Sequence, residues 1–215
     1  MKTKRHFSLV DRFCLGIDQT LRALSGNVKT TDKPYPAQAI DSVELMDAER
    51  KHAAGLMRIN HTGEICAQAL YHGQSVGSRS DEIKEKMQAA ALEEGDHLYW
   101  CQKRIEELGS HTSYLNPLWY AGSFGIGLAA GMVGDRWSLG FVAETEKQVI
   151  KHLEDHLQSL PKEDLRSHHI LQQMEVDEAK HRQEAIDLGA KELPRVIQTL
   201  MHWTSRLMVK TTYWV

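Results

Sequence analysis

The 215-residue sequence is poor in cysteine and in any excess of one charge. Its three cysteines, Cys14, Cys66 and Cys101, have the spacing of neither a zinc site nor a disulfide framework, which fits a reducing cytosol. The 26 basic and 29 acidic residues give a formal net charge of −3, so no nucleic-acid partner is expected. Residues 1–12 contain no apolar run of signal-peptide length, and no secretion signal is predicted.

The alternation of apolar and polar residues that marks β-strands is almost absent, and the predicted fold class is all-α. Residues 25–42 contain Gly26, Pro34 and Pro36 and are interpreted as a linker or arm. We therefore divide the chain into an N-terminal arm, residues 1–44, and a helical domain, residues 45–215. Four long helices are predicted, at residues 47–76, 81–108, 137–160 and 164–189, and an extra C-terminal helix is predicted after Pro194.

Two of the predicted helices repeat a Glu-x-x-His motif, at Glu94/His97 and at Glu178/His181. Each motif lies in an apolar stripe with steps of three and four residues, so its Glu and His point to the same, buried face. A single motif of this kind is usually solvated. Two of them in phase with the core need a cation, because buried carboxylates are costly unless they are paired.

A lone glutamate in an apolar stripe precedes each motif. Glu64 lies 30 residues before Glu94, and Glu146 lies 32 residues before Glu178, which indicates an internal repeat of two helical hairpins. Glu144 competes with Glu146, but the helical phase turns Glu144 away from the core. One Glu from each of two helices and a Glu-x-x-His from each of two others is the ligand pattern of ferritin-like four-helix bundles that bind two metal ions.

Three histidines near these motifs have less certain roles. His61 lies one turn before Glu64, which reverses the order of the Glu-x-x-His pair, and it is interpreted as a residue behind a ligand or beside a substrate. His152 either supports Glu146 from behind or is a packed core histidine. His156 lies further along the helix and is interpreted as structural.

The segment of residues 115–134 carries no charged side chain. As a helix it would be long enough to cross a bilayer, but a span would separate the second and third bundle helices and prevent a shared site. It is therefore predicted to be the long crossover of the bundle. Either its glycines pack it into the core, or it forms a surface that enters a membrane or admits a lipid tail, with Trp119 and Tyr120 at the headgroups. The second interpretation is favoured, and Trp203 and Trp214 could extend that surface.

Five segments of the sequence form a recognisable set: Arg58–Glu64, Glu93–His97, Asn116–Trp119, Val142–Glu146 and Asp177–His181. In these segments the chain resembles the demethoxyubiquinone hydroxylases of ubiquinone biosynthesis, in their bacterial form. The resemblance runs from about residue 45 to the C-terminus.

The resemblance implies a centre of two iron ions per chain and an O₂-dependent hydroxylation of a polyprenylated benzoquinol. It also implies peripheral attachment to the lipid surface at the cytoplasmic face of the inner membrane. Contacts with other ubiquinone-biosynthesis proteins and a homo-oligomer stay open. The implied iron ligands are the six residues that the helical pattern selects: Glu64, Glu94, His97, Glu146, Glu178 and His181, with Glu94 and Glu178 as the bridging, catalytic carboxylates.

Two other classes of protein use the same kind of bundle. A ferritin-like iron store or peroxide-reducing protein would need the same ligands but not the uncharged crossover. A tRNA hydroxylase would need a basic face, which the net charge does not indicate. No glycine-rich nicotinamide motif is present, so electrons would come from the quinol, from a reductant that reaches the site directly, or from a partner.

Overall fold

The computed structural model describes residues 8–215, and the regular secondary structure of this part of the chain is α-helical, without strands. The all-α prediction is confirmed. The helices are α1 (Leu9–Ser25), α2 (Asp47–Gly77), α3 (Asp81–Glu107), α4 (Asn116–Val133), α5 (Asp135–Ser159), α6 (Leu165–Asp187) and α7 (Arg195–Thr212).

Four of these helices, α2, α3, α5 and α6, form the bundle as two helical hairpins, α2 with α3 and α5 with α6. Their ends lie within two residues of the predicted ends. Side-chain caps fix where two of them begin: the Ser80 hydroxyl accepts from the backbone N–H of Ile83, and the Asp164 carboxylate accepts from that of Ser167. The two hairpins bring the four predicted ligand-bearing segments into one interior.

Two apolar clusters fill the bundle interior on either side of the Glu-x-x-His motifs. Along α3, Met87 belongs to one cluster and Trp100 to the other, and Glu94 and His97 lie between them. Along α6, Met174 and Ala185 flank the second motif in the same way. Apolar side chains therefore seal the polar middle of the bundle at both ends.

The uncharged crossover is helix α4, and it packs closely along α2. A Cβ atom added at Gly73 would collide with the backbone oxygen of Phe124, and one added at Gly127 would collide with that of Leu70. Only glycine allows the two backbones to approach this closely. The opposite face of α4 is exposed, with Leu118 at 66% and Ile126 at 43%, whereas Tyr120, which was predicted to lie at lipid headgroups, is buried at 4%. Entry of the exposed face into a membrane stays a prediction. No helix among residues 8–215 is both long and apolar enough to cross a membrane.

Residues 27–40, named the strap here, run from the end of α1 across the outside of the bundle. The backbone N–H and hydroxyl of Thr31 donate to the buried carboxylate of Asp96. Further along, Tyr35 and Ala37 are buried against α3 and the main core. Helix α1 was not predicted, although Ser8 and Asp11 form a capping box at its start.

The C-terminal helix α7 is tied to α2 but leaves much of its own apolar stripe uncovered. Arg58 donates to the backbone oxygen of Tyr213 at 2.7 Å, and His52 Nδ1 lies 2.7 Å from the Tyr213 hydroxyl. The stripe itself points into solvent, at 57% exposure or more for each member: Val196, Leu200, Trp203 and Leu207.

Candidate metal centre

Side chains from three helices meet in the middle of the bundle. Glu64 of α2, Glu94 and His97 of α3 and Glu178 of α6 each offer a ligand atom, and these atoms lie within 4.8 Å of one another. All four side chains are buried, with at most 3% of their surface exposed. Such a concentration of carboxylates in an apolar interior is stable only with compensating positive charge.

Glu94 and Glu178 are each shared between the two imidazoles. Nδ1 of His97 lies 3.1 Å from Glu94 Oε2 and 3.1 Å from Glu178 Oε1. Nδ1 of His181 lies 3.1 Å from Glu94 Oε1 and 3.3 Å from Glu178 Oε2. Each carboxylate thus presents one oxygen to each histidine, and the predicted bridging role of Glu94 and Glu178 stays a prediction.

The remaining predicted residue, Glu146 of α5, is also buried, at 2% exposure. Its Oε1 accepts from the Tyr71 hydroxyl at 2.5 Å, and the charges of Glu178 and Glu94 act on it. Glu144 faces away from the bundle axis, where it pairs with Lys147 at 3.0 Å. The structure therefore turns all six predicted side chains toward the same interior.

The electrostatics of the two lone glutamates show how much negative charge this interior holds. Burial, and then the charge of Glu94, raise the pKa of Glu64 well above its ordinary value. Burial, and then the charge of Glu178, raise the pKa of Glu146 in the same direction. Both shifts show that the charged form of these carboxyls is disfavoured unless positive charge lies nearby.

The pKa values of the two histidines are also raised, although burial acts on them in the opposite direction. Burial alone would lower the pKa of His181, but its contacts with Glu178 and Glu94 outweigh burial and raise that pKa to about 12. The pKa of His97 is raised well above its ordinary value against burial, by contacts with Asp177, Glu178 and Glu94. Burial would raise the pKa of Glu94, but contacts with the two imidazoles lower it. The carboxylates of this interior therefore favour positive charge on both imidazoles.

The donor set fits a pair of iron ions. Carboxylates with imidazoles suit iron, and no thiolate is among the donors of the cluster. Oε1 of Glu94 is buried and has no hydrogen-bond partner among residues 8–215, although His181 Nδ1 lies only 3.1 Å away. Two such atoms, close but not aligned for a hydrogen bond, can be satisfied by one metal ion between them.

An outer pair of carboxylates, which the sequence interpretation missed, supports the histidines. Asp177 Oδ2 and Nε2 of His97 form a hydrogen bond of 3.1 Å, whereas Glu93 Oε2 lies 3.4 Å from Nε2 of His181, within ion-pair distance but without a hydrogen bond. Each outer residue immediately precedes the motif glutamate of one helix and contacts the histidine of the other. The available signal was the acidic residue directly before each Glu-x-x-His, at Glu93 and Asp177.

His61, His152 and His156 lie in different surroundings. His61 is buried, and both its ring nitrogens lack a hydrogen-bond partner among the described residues. His152 Nε2 lies 2.8 Å from the Ser205 hydroxyl of α7, and His156 Nδ1 lies 2.8 Å from Asn60 Oδ1. His152 and His156 therefore join helices, whereas the role of His61 as a residue beside a ligand or substrate stays a prediction.

Comparison with known proteins gives one consistent result. The family model described as ubiquinone biosynthesis protein COQ7 matches residues 51–212. A 3-demethoxyubiquinol 3-hydroxylase of Polynucleobacter necessarius is 56% identical over 96% of this chain and 99% of its own length. Proteins of the same name from Nitrosococcus oceani and Acinetobacter baumannii are 50% and 48% identical, each over 98% of this chain and 99% or more of their own length. The chain, whose two Glu-x-x-His motifs contact each other, belongs to the COQ7 family of ubiquinone biosynthesis proteins.

Proposed function

We propose that the protein hydroxylates a polyprenylated demethoxyubiquinol in ubiquinone biosynthesis, with O₂ as the oxidant. The observation that carries the proposal is the pair of carboxylates, Glu94 and Glu178, that each reach both imidazoles within 3.3 Å. The names and full-length similarity of the relatives support the same reaction. An iron store would share the metal ligands, but neither the family nor the relatives favour that alternative.

The proposed cofactor is a pair of iron ions in each chain. Glu94 and Glu178 would bridge the two ions, while Glu64 and Glu146 would each bind one ion, with His97 and His181 as the nitrogen ligands. When bound, the iron pair supplies the oxygen chemistry that these side chains cannot perform alone. One oxygen atom enters the ring and the other leaves as water, which requires two further electrons from the quinol, a direct reductant or a partner.

The chain's own residues fix the ligands and control what reaches them. Tyr71 holds Glu146 through its hydroxyl and blocks the free rotation of that carboxylate. A narrow cleft between α2 and α5, with room for about one water molecule, lies beside this pair, and Glu146 is the one charged side chain in its lining. Entry of an apolar ring and its tail here would therefore require α2 and α5 to move apart. The cleft is lined by Ala67, Leu70, Tyr71, Gln74, Phe141, Val142, Thr145 and Glu146.

The proposed location is the cytoplasmic face of the inner membrane, with peripheral attachment. Two uncovered apolar surfaces support it, the outer face of α4 and the stripe of α7. On α4, Leu118 and Met132 are 66% and 58% exposed, and no charged residue occurs from Asn116 to Val133. A water-insoluble quinol would reach the cleft most readily from a lipid surface. The same surfaces could instead contact another ubiquinone-biosynthesis protein or a second copy of the chain.

The experiment that tests the reaction is complementation of a bacterial strain that lacks its own demethoxyubiquinol hydroxylase. The wild-type gene should restore ubiquinone and remove the accumulated demethoxy quinone, both measured by mass spectrometry of lipid extracts. Glu178→Ala removes a carboxylate shared by both histidines and should restore neither. Wild-type protein that accumulates in the strain, binds iron and yet leaves the quinones unchanged would favour iron storage.

A further inference from the structure

Lys33 connects the N-terminal strap to the metal centre. Its Nζ lies 3.2 Å from Glu93 Oε2 and 3.3 Å from Asp177 Oδ2. These two oxygens are the same atoms that face His181 and His97, at 3.4 Å and 3.1 Å. A single ammonium group from outside the bundle therefore touches both carboxylates that support the ligand histidines.

Contacts of the strap before and after Lys33 hold the backbone in place, and this defines the position of the Lys33 ammonium group. On one side Thr31 donates to Asp96, and the backbone oxygen of Lys29 lies where a side chain at Gly95 would be. On the other side Tyr35 is buried and donates to Glu107 at 3.2 Å. The backbone of the strap therefore directs the Lys33 side chain between α3 and α6, where it is one-third exposed.

We infer that Lys33 is a positioning residue of the metal centre, which acts through Glu93 and Asp177 to orient the two histidines toward Glu94 and Glu178. The inference rests on the proposed metal centre and assigns a role to the arm, residues 1–44. Carboxylates behind metal-binding histidines fix ring orientation, and their loss commonly lowers metal affinity by about 10- to 100-fold. Without Lys33 the two carboxylates would keep their charge but lose their shared anchor.

Loss of Lys33 should affect the orientation of His97 and of His181 to different extents. Glu93 has a second cation nearby, because Lys180 Nζ lies 3.6 Å from its Oε2. Asp177 has no other ion pair with a lysine or arginine among residues 8–215, and it keeps only Gln173 and His97 as hydrogen-bond partners. The orientation of His97 should therefore depend on Lys33 more strongly than that of His181.

The test compares Lys33→Met with wild type, with Lys33→Arg as the conservative variant and Lys29→Met as the matched control. Lys29 lies on the same strap and is exposed, and its ammonium contacts neither Glu93 nor Asp177. Iron(II) affinity would be measured anaerobically by competition with a chromophoric chelator. Cobalt(II) absorption would report the geometry of the loaded centre. Circular dichroism would show whether each variant is folded.

The expected result is a folded Lys33→Met protein with iron affinity about tenfold weaker and altered cobalt bands. Lys33→Arg and Lys29→Met should resemble wild type. Wild-type affinity and wild-type bands in Lys33→Met would overturn the inference, and so would a lower melting temperature with unchanged metal binding. If Lys33→Met does not fold, Asp177→Asn provides the test, and unchanged affinity and bands there would equally overturn it. A wild-type protein that binds no iron would instead refute the proposed centre itself.

Discussion

At the residue scale, the phase of helix α5 separates two neighbouring glutamates. Glu146 is buried and accepts from Tyr71, whereas Glu144 lies on the other side of the helix with Lys147 and Gln148. An apolar stripe in the sequence was enough to distinguish them, because the two positions differ by about 200° around the helix. The outer partners Glu93 and Asp177 could not be found in this way, since their role depends on contacts between helices.

The first prediction concerns these two positions of α5. Glu146→Gln should reduce iron content and leave less than about a tenth of wild-type turnover, because even the outer partners of ligands contribute 10- to 100-fold. Glu144→Gln, the matched control, should keep both nearly intact. Iron per chain and hydroxylated product would be measured on purified protein. Loss of iron in Glu144→Gln alone would mean that the ligand set must be redrawn around Glu144.

The second prediction concerns His156, which is buried between α5 and α2 and paired with Asn60. Burial, and then the charge of His152, lower the pKa of His156 from 6.5 to about 4. Between these two pH values the unfolded chain binds a proton at this site and the folded protein does not. The free energy of unfolding should therefore fall as the pH falls from 6.5 to 4, by up to about 1.4 kcal/mol per pH unit from this group.

The measurement is urea unfolding of wild type and His156→Gln at several pH values in that interval. The variant should be less stable at pH 7 but should lose stability less steeply on acidification, by about one proton. His169→Gln removes an exposed histidine from α6 and should keep the wild-type slope. Equal slopes in wild type and His156→Gln would show that His156 is not held neutral by burial.

At the element scale, the close contact of α4 with α2 depends on glycine at defined positions. Gly127 lies against the backbone of Leu70, while Gly125, half a turn away on the same helix, has nothing within 4 Å of an added Cβ. The third prediction is that Gly127→Ala lowers the free energy of unfolding by about 1–3 kcal/mol, because the two helices must separate. Gly125→Ala should raise it by up to about 1 kcal/mol through better helix propensity.

Chemical denaturation of the two alanine variants would test this difference, since they change the same residue type in the same helix. The contrast matters for the site, because α4 holds α2 along the face opposite to Glu64. Destabilisation of equal size in both variants would mean that the α2–α4 contact is looser than the backbone distances indicate.

At the scale of the whole molecule, the bundle was predictable because its helices carry long, periodic apolar stripes, and two of them, α3 and α6, begin at a side-chain cap. The inward direction of each predicted ligand side chain also followed from the period of its stripe. The strap was not predictable as a packed element, because residues 27–40 have no periodic pattern and their contacts join segments far apart in the chain. For the same reason Lys33 was indistinguishable from any exposed lysine until Glu93 and Asp177 were brought together by α3 and α6.

The last prediction concerns attachment of the whole molecule to a lipid surface. If the outer face of α4 enters the membrane, Leu118→Glu with Ile126→Glu should weaken binding to anionic vesicles by more than about tenfold, because two apolar side chains are worth about 3 kcal/mol or more when buried. Both residues are exposed, at 66% and 43%, so the bundle and its iron content should be unaffected.

Val43→Glu with Val176→Glu is the matched control. It changes two exposed apolar residues outside α4 and α7, and this variant should bind vesicles like wild type. Vesicle flotation of metal-loaded protein measures the difference. Full flotation of the α4 variant would indicate that the protein attaches through the exposed stripe of α7 instead. No flotation of wild type would indicate that both surfaces bind a protein partner.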